Sequence, residues 1–472
     1  MADEYYGALN YQRNLVIVCS VKLGMVLVAL SFCTCQSMGA DNQVATHIDE
    51  YLKPYVESSN FSGSVLVRRK GRNVFQKAYG FSNREQRVKN RNDTRYHIAS
   101  LSMQFTAAAI LRLVDQGTIS LDTHVGEYLQ GIQGAERITV RDLLIQRSGL
   151  PDINELPDYG EILQHHQTPA SLVVRIEKKP LLFEPGSKFL HEEHSAYNLL
   201  ALIVEKKAGL PFASATRRLV FDPADLKSSG IDDDSLADTA QVAVGYEPDG
   251  IDGLKLASQI HWSAKTGNAS VYTTPSDEAR FAERLFGRHL LRAASLQAIL
   301  DTSPRLGYGW FRGANSRFEE TVYYMNGRAP GFASFVLHLP NENLTVVVFS
   351  NIYSSATTTI GYDIAAMALG RTYMPFRPSV AAPDRKYLDS CTGTFQFGAD
   401  FYQSNARISL NIVEKGLLLH WPSGESSPLI PLEPDHFVDR SYWEEVKLER
   451  DADGRQTAIT YGRFRGTAVR TQ

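Results

Sequence analysis

The sequence has few cysteines and no excess of charge of either sign. Cys19, Cys33 and Cys35 lie within the first 35 residues, and only Cys391 lies in the body of the chain. If the first residues are removed, no intrachain disulfide is possible. The 49 Lys and Arg residues against 52 Asp and Glu give a net charge of −3, which excludes the basic surface of a nucleic-acid-binding protein. There is also no internal repeat and no low-complexity tract.

Residues 1–40 have the features of an export signal. Two apolar runs, Leu15 to Val21 and Leu23 to Cys35, are accompanied by the positive charges of Arg13 and Lys22, and small residues follow. As a helix, residues 15–35 would be roughly 30 Å long, enough to span a bilayer. We therefore expect export to the periplasm, the cell envelope or the extracellular space. The segment is either a cleaved signal or a membrane anchor, which would be the only contact with a membrane.

Residues 44–372 have the pattern of one layered α+β (α/β) domain. Gly63 to Arg69 and Val74 to Tyr79 read as strands near its start. Ala333 to Leu339 and Leu344 to Ser350 read as strands near its end, joined by a turn at residues 340–343. Since a helix-rich stretch separates the two pairs, we expect one sheet built from both ends of the domain and covered by helices.

A proline-rich linker and a small all-β domain follow. Residues 373–386 contain three prolines. Residues 387–472 then show short segments with strand periodicity separated by turn signals, including Ile408 to Ile412, Leu417 to Trp421, Glu445 to Arg450 and Thr457 to Tyr461. This spacing predicts a barrel or a sandwich.

The segment from Ile98 to Ala107 carries a serine immediately before a predicted helix, Met103 to Gln116. A lone serine in this place is usually a helix cap. Position 103 lies one turn along from Ser100 and on the same helix face, so the two side chains are neighbours. A base at position 103 would activate the serine hydroxyl, whereas a methionine only packs against it.

Several further segments give Ser100 a family context. With these segments, the chain resembles the serine β-lactamase and penicillin-binding-protein superfamily over roughly residues 48–368. The resemblance is closest to the class C β-lactamase, D-aminopeptidase and esterase branch. The resemblance implies an antiparallel sheet flanked by helices plus a helical lobe, and the last domain resembles the small β-barrel appended to many such proteins. The segments that carry it are residues 78–83, 138–144, 148–151, 184–186, 308–310 and 330–332.

The resemblance also implies three catalytic motifs, and this chain departs from each. In Ser-x-x-Lys the serine is Ser100, but Met103 holds the lysine position. In the Lys-Thr-Gly or His-x-Gly motif, counting back from residues 330–332 gives Met325 and Gly327, so only the glycine remains. A literal Lys-Thr-Gly at residues 265–267 matches a different family loop, and we interpret it as coincidence.

The Tyr-x-Asn motif falls on residues 191–194, where the spacing from the two sides disagrees by one residue. Neither register restores the motif, and His191, Glu193 and His194 stand in its place. Tyr197 matches a later tyrosine of the family helix, which we interpret as packing. The backbone N–H groups of Ser100 and Arg328 remain able to form an oxyanion hole, because backbone donors do not depend on side-chain identity.

We therefore expect an exported, catalytically impaired serine-hydrolase scaffold that binds a peptide-like or acyl small molecule, possibly one derived from the cell wall, and needs no cofactor. The alternative is an active serine hydrolase that uses Ser100 with a His or Glu base from residues 191–194. A third, less favoured hypothesis is a zinc site formed by His191 and His194 with Glu192 or Glu193, aided by His165 and His166; we expect no metal.

Overall fold

The computed structural model describes residues 42–190, 193–233, 242–302, 306–379, 384–413 and 416–469. The predicted export segment, residues 1–40, lies outside them. None of the helices within these ranges is both long enough and apolar enough to cross a membrane. The chain divides into two compact units, Met1–Glu50 and Tyr51–Gln472. The first is described only over residues 42–50, which are helical, and the features below belong to the second.

A seven-stranded antiparallel sheet forms the centre of the first domain. The predicted strands from the start and the end of the domain both belong to it, and the structure pairs them with Val65 opposite Val348. In sheet order its strands are β3 (Leu306–Gly307), β4 (Trp310–Gly313), β5 (Val322–Ala329), β6 (Phe332–Leu339), β7 (Leu344–Ser350), β1 (Gly63–Arg69) and β2 (Arg72–Tyr79). Every residue of β6 and β7 is buried, because helices cover both faces of the sheet there.

Long helices of this domain within the described residues include α1 (Ser102–Asp115), α2 (His194–Ala208), α3 (Pro275–Phe286) and α4 (Ala356–Ala368). Helices α3 and α4 pack on the sheet, and α1 packs against α2. Shorter α-helices of this domain include Val140–Leu144, Tyr159–Ile162, Pro169–Val174, Phe212–Thr216 and Ala293–Leu300, and a further helix, Arg385–Ser390, precedes the barrel strands. The mixed helix-and-sheet class predicted from the sequence is confirmed.

Local sequence determines where several of these helices begin and end. Thr139 caps Val140–Leu144 by accepting from the amide of Asp142, whose side chain in turn accepts from the Thr139 amide. Helix α3 begins after Thr274, whose side chain accepts from the Asp277 amide, and Pro275 occupies its first position. Helix α2 ends at Gly209, whose φ of 65° is left-handed and costs a glycine little.

Small strand pairings lie outside the central sheet, and the last domain is a closed barrel. In these small pairings, Phe81–Asn83 pairs with Val88–Lys89, and Tyr246–Asp249 pairs with Gly253–Leu256. The strand Val271–Thr273 pairs with Tyr96–His97 on one side and with Gly230–Ile231 on the other. The barrel strands are β8 (Gly393–Gln396), β9 (Arg407–Val413), β10 (Gly416–His420), β11 (Ser426–Glu433), β12 (His436–Asp439), β13 (Glu445–Arg450), β14 (Gln456–Tyr461) and β15 (Phe464–Ala468). The sequence predicted a barrel or a sandwich for this domain, and the barrel is confirmed.

A buried arginine of the barrel forms one of its contacts with the first domain. Arg440 is 0% exposed and follows β12. Its guanidinium donates to Asn60 Oδ1 at 2.7 Å, to the carbonyl oxygens of Gly250 and Gly253 at 2.5 and 2.8 Å, and to that of Ser59 at 3.0 Å. Burial lowers the pKa of Arg440 to about 10. Four neutral acceptors of the first domain bind the guanidinium, and the nearby Asp252 and Asp249 favour its charged form.

An aromatic cluster lies beside this arginine. Trp443 of the barrel is 5.5 Å from Tyr55 and 5.1 Å from Phe376, measured between ring centroids. Phe376 belongs to residues 373–386, the predicted linker, and is buried. This part of the segment is therefore packed between the two domains.

We predict that Arg440→Met destabilises the protein by about 3 kcal/mol, because it leaves several buried carbonyl groups without a donor. Arg407→Met, at an exposed barrel position, is the matched control. Urea unfolding followed by circular dichroism measures both. Equal midpoints for Arg440→Met and the wild type would show that the docking contact contributes nothing to stability.

Candidate active site around Ser100

Ser100 lies in a single helical turn, Ala99–Leu101, directly before α1. It is 4% exposed, and among the described residues its hydroxyl has no hydrogen-bond partner. The residue at the cap position of α1 is Leu101, and no side chain caps that helix. The alternative interpretation of Ser100 as a helix cap is therefore wrong.

The turn that carries Ser100 has a strained backbone. Ala99 has a φ of 50°, in a region that residues other than glycine seldom adopt. The preceding residue is held from two sides: the Ile98 amide donates to the Val271 carbonyl at 3.1 Å, and the Ile98 carbonyl accepts from Ser334 Oγ at 2.6 Å. These contacts fix the direction in which the chain presents Ser100.

Strand β5 approaches this turn through Gly327. A Cβ atom at position 327 would lie 2.7 Å from the Ser100 amide nitrogen and 2.8 Å from the Ile98 carbonyl oxygen. Only a glycine fits such a contact between two backbones. The contact brings the Ser100 amide next to β5, one residue from Arg328, so the two predicted oxyanion donors belong to adjoining segments.

Met325 lies on the same face of β5 as Gly327, because side chains two residues apart on a strand point to one side. It is 1% exposed and stands opposite Val336 of β6. The position predicted to carry the family's second basic group is thus a buried thioether on the face of β5 that meets the Ser100 turn.

Met103 occupies the first basic position and is fully buried in α1. Its sulfur accepts a hydrogen bond from Gln146 Nε2 at 3.6 Å, and Gln146 Oε1 accepts from the Glu193 amide at 3.4 Å. Gln146 is itself 0% exposed and has a φ of 56°. A neutral network therefore fills the space one turn along from the serine.

Glu193 directs its carboxylate to the loop that follows Gln146. It accepts from Ser148 Oγ at 2.6 Å and from the Ser148 amide at 3.3 Å, and it is 0% exposed. Burial raises the pKa of Glu193 to about 7, although the hydrogen bonds from residues 148–150 oppose this. The carboxylate stabilises a loop and makes no hydrogen bond to Ser100.

His194 forms a pair with Asp152. Its Nδ1 lies 2.8 Å from Asp152 Oδ2 and 3.0 Å from Asn154 Nδ2, and the side chains of His194 and Asp152 are each 13% exposed. Burial alone would raise the pKa of Asp152, but the neighbouring His194 and backbone hydrogen bonds lower it overall. This arrangement resembles the orienting half of a catalytic triad.

The remaining residues of this loop, His191 and Glu192, lie outside the described residues. Within the described ranges, no group of three or more His, Cys, Asp or Glu side chains could hold a metal ion. Of the residues named for a zinc site, His165, His166, Glu193 and His194 are described. Glu193 bonds to Ser148, and His194 bonds to Asp152.

The literal Lys-Thr-Gly at residues 265–267 packs between helices. Lys265 Nζ donates to Tyr159 Oη, and the Thr266 carbonyl accepts from Asn198 Nδ2 of α2 at 2.7 Å. The Gly267 carbonyl accepts from Thr106 Oγ1 of α1 at 2.7 Å. Each of the three residues therefore contributes to the contact between segments of the helical lobe.

The barrel reaches the end of β5 at Arg328. The guanidinium carbon lies 4.2 Å from the ring centroid of Tyr353 and 3.8 Å from that of Tyr442, and Nη1 donates to the Ser441 carbonyl at 2.9 Å. Glu425 of the barrel is 3.8 Å away. The side chain of Arg328 is thus used in the interface with the barrel.

Sequence reasoning missed four residues of this site: Gln146, Ser148, Asp152 and Tyr442. The first three lie in or beside segments 138–144 and 148–151, which carried the family resemblance, but nothing in that pattern indicates which of their side chains turn inward. Tyr442 lies in another domain, about 115 residues from Arg328 in the chain. Its contact with Arg328 carries no local sequence signal.

Comparison with known proteins identifies the family. The Beta-lactamase family model matches residues 48–367. The chain therefore belongs to this family, a branch of the serine hydrolases. The match covers the central sheet, the Ser100 turn and α1 to α4, and it ends before the barrel.

Individual relatives and solved structures are similar to this chain over nearly their whole lengths. Penicillin-binding protein 4* of Bacillus subtilis (strain 168) is 22% identical over 441 residues, which is 88% of this chain and 96% of the relative. The penicillin-binding protein of Bacillus halodurans superimposes with a TM-score of 0.59 at 26% identity, covering 69% of this chain and 98% of that one. The octameric penicillin-binding protein homologue of Pyrococcus abyssi has a TM-score of 0.62 at 20% identity, covering 90% and 99%, and shows a shared fold.

We predict that Glu193 makes stability fall as the pH rises. Its folded-state pKa of about 7 exceeds the ordinary value of 4.5, so its contribution is complete below pH 4.5 and is lost as the pH rises through 7. In Glu193→Gln this loss disappears. Relative to the wild type, the variant should gain up to about 3 kcal/mol between pH 4.5 and pH 8.

Urea unfolding across this pH range measures the difference. Glu127→Gln, at an exposed position, is the control and should follow the wild-type profile. A Glu193→Gln profile parallel to that of the wild type would contradict the assignment of a buried, neutralisable carboxyl.

Proposed function

We propose that this chain is an exported β-lactamase-related protein with an impaired serine-hydrolase site, which binds a peptide-like or acyl ligand beside Ser100 with little or no turnover. The observation that carries the proposal is Met103, a fully buried thioether hydrogen-bonded to Gln146 where the family's lysine would stand. Attack by Ser100 requires its proton to leave, and a thioether cannot accept it.

The second methionine supports the same conclusion. Met325 is buried on the face of β5 that meets the Ser100 turn, so neither basic position offers a charge. General acid–base assistance contributes about 10²–10⁴-fold to rates of this kind. A site left with only binding and an oxyanion hole retains roughly 10³–10⁴-fold over water, which is far below a working hydrolase.

Ligand binding rests on features that do not depend on the lost side chains. Gly327 keeps β5 against the Ser100 turn, and the amides of Ser100 and Arg328 belong to those two segments. Amide donors of this kind favour a carbonyl oxygen. The relatives are named for binding penicillin, which supports a cyclic or peptide-like acyl compound as the ligand class.

Covalent labelling tests the impairment. Wild type and Ser100→Ala are incubated with a fluorescent penicillin and, separately, with an alkyl fluorophosphonate, and intact masses are recorded. We expect no adduct that depends on Ser100, together with a saturable thermal shift produced by N-acetyl-D-alanyl-D-alanine. Rapid labelling of the wild type that is absent in Ser100→Ala would overturn the proposal.

A second candidate function is an active esterase or peptidase, and one observation favours it. The 2.8 Å contact between Asp152 Oδ2 and His194 Nδ1 orients the imidazole, and if Nδ1 carries the proton, Nε2 is left as a base. Against it, the Ser100 hydroxyl makes no hydrogen bond to His194. The balance favours the impaired site.

Hydrolysis of p-nitrophenyl butyrate separates the two candidates. If His194 is the base, His194→Gln and Ser100→Ala should each lower the rate by about 100-fold or more, and Asp152→Asn should shift its pH profile. We expect instead that the wild type and Ser100→Ala hydrolyse the ester at the same slow rate. His289→Gln, far along the chain in a surface turn, controls for the loss of a histidine.

A further inference from the structure

A cavity that Ser100 does not line is formed by segments adjoining the residues around Met103. It has a volume of about 810 Å³, within the range that holds a small organic ligand. Its lining combines three cations, Arg141, Arg147 and Lys188, with apolar side chains that include Ile145, Phe189 and Leu306. We propose that this cavity is a binding site for a small carboxylate with an apolar body, such as an N-acylated amino acid.

The charge of the cavity favours an anion. Arg141 pairs with Asp122 at 2.7 Å, so its charge is largely compensated. Arg147 donates to the Gly186 carbonyl, and within the described ranges neither Arg147 nor Lys188 has a carboxylate partner. The acidic residue of the lining, Asp301, is exposed and accepts from Gln297. A positive charge remains for a ligand, and a guanidinium binds a carboxylate with paired hydrogen bonds.

The apolar side chains of the lining favour an anion that also has an apolar group. Ile145 and Phe189 are half-buried, and Leu306 is 1% exposed. An inorganic anion would leave this surface in contact with water, whereas an acyl or aryl group would cover it. The two halves of the lining together match an amphipathic carboxylate.

The cavity is bordered by the same segments that hold Met103. Ile145 precedes Gln146, which bonds to the Met103 sulfur, and the Leu190 amide next to Phe189 donates to the Gln146 carbonyl at 3.0 Å. Tyr308 precedes Gly309, where a Cβ atom would lie 2.7 Å from the Met103 carbonyl carbon. A ligand here would thus contact the residues adjoining the neutral network without touching Ser100.

Fluorescence titration with N-dansylphenylalanine and with its neutral amide tests the site. We expect saturable binding of the carboxylate, with the amide at least about 10-fold weaker, the loss of one charge-assisted hydrogen bond. Lys188→Glu should weaken the carboxylate by about 10-fold or more. This residue is exposed, so the exchange leaves the fold intact. Arg147→Gln should act in the same direction.

Two controls isolate the cavity. Lys386→Glu, an exposed exchange of the same charge at the end of the linker, should leave the affinity unchanged. Ser100→Ala should also bind the probe as the wild type does, so this inference stands or falls separately from the proposed function. Equal affinity for acid and amide, no effect of Lys188→Glu, or no saturation up to about 1 mM probe would each overturn it.

Discussion

The close contact between β5 and the Ser100 turn is the constraint on which the site depends. At Gly327 two backbones meet at a distance that leaves no room for a Cβ atom. The strained Ala99 and the hydrogen bonds to Ile98 hold the other side of the contact. The turn that carries Ser100 is therefore held by contacts that use neither the Met103 nor the Met325 side chain.

That independence explains how the fold tolerates the loss of its charges. A lysine at a fully buried position must be desolvated, and it needs partners that accept its hydrogen bonds. Methionine has no such need, and Met103 fits between Gln146 and the helical core as a neutral, adaptable side chain. A thioether at this position therefore avoids the cost of desolvating an ammonium, but it can neither accept a proton nor carry a charge.

Sequence reasoning predicted the layered domain, the barrel and the place of Ser100, because periodicity, turn residues and motif order are local signals. The strand Leu344–Ser350 and the barrel strand Glu445–Arg450 have the predicted bounds. The pairing of Glu193 with Ser148 and of His194 with Asp152 was not predictable, since these contacts join residues more than 40 positions apart. The same holds for Arg328, whose side-chain partners belong to another domain.

Arg328 links the barrel to the chemistry of the site. Its guanidinium lies over Tyr353 and Tyr442 and bonds to the Ser441 carbonyl, so its charge serves the interface. Arg147 and Lys188, which have no carboxylate partner among the described residues, line the neighbouring cavity. Under the two proposals, the amide donors of Ser100 and Arg328 would attract a carbonyl oxygen, whereas the cations of the neighbouring cavity would attract a carboxylate.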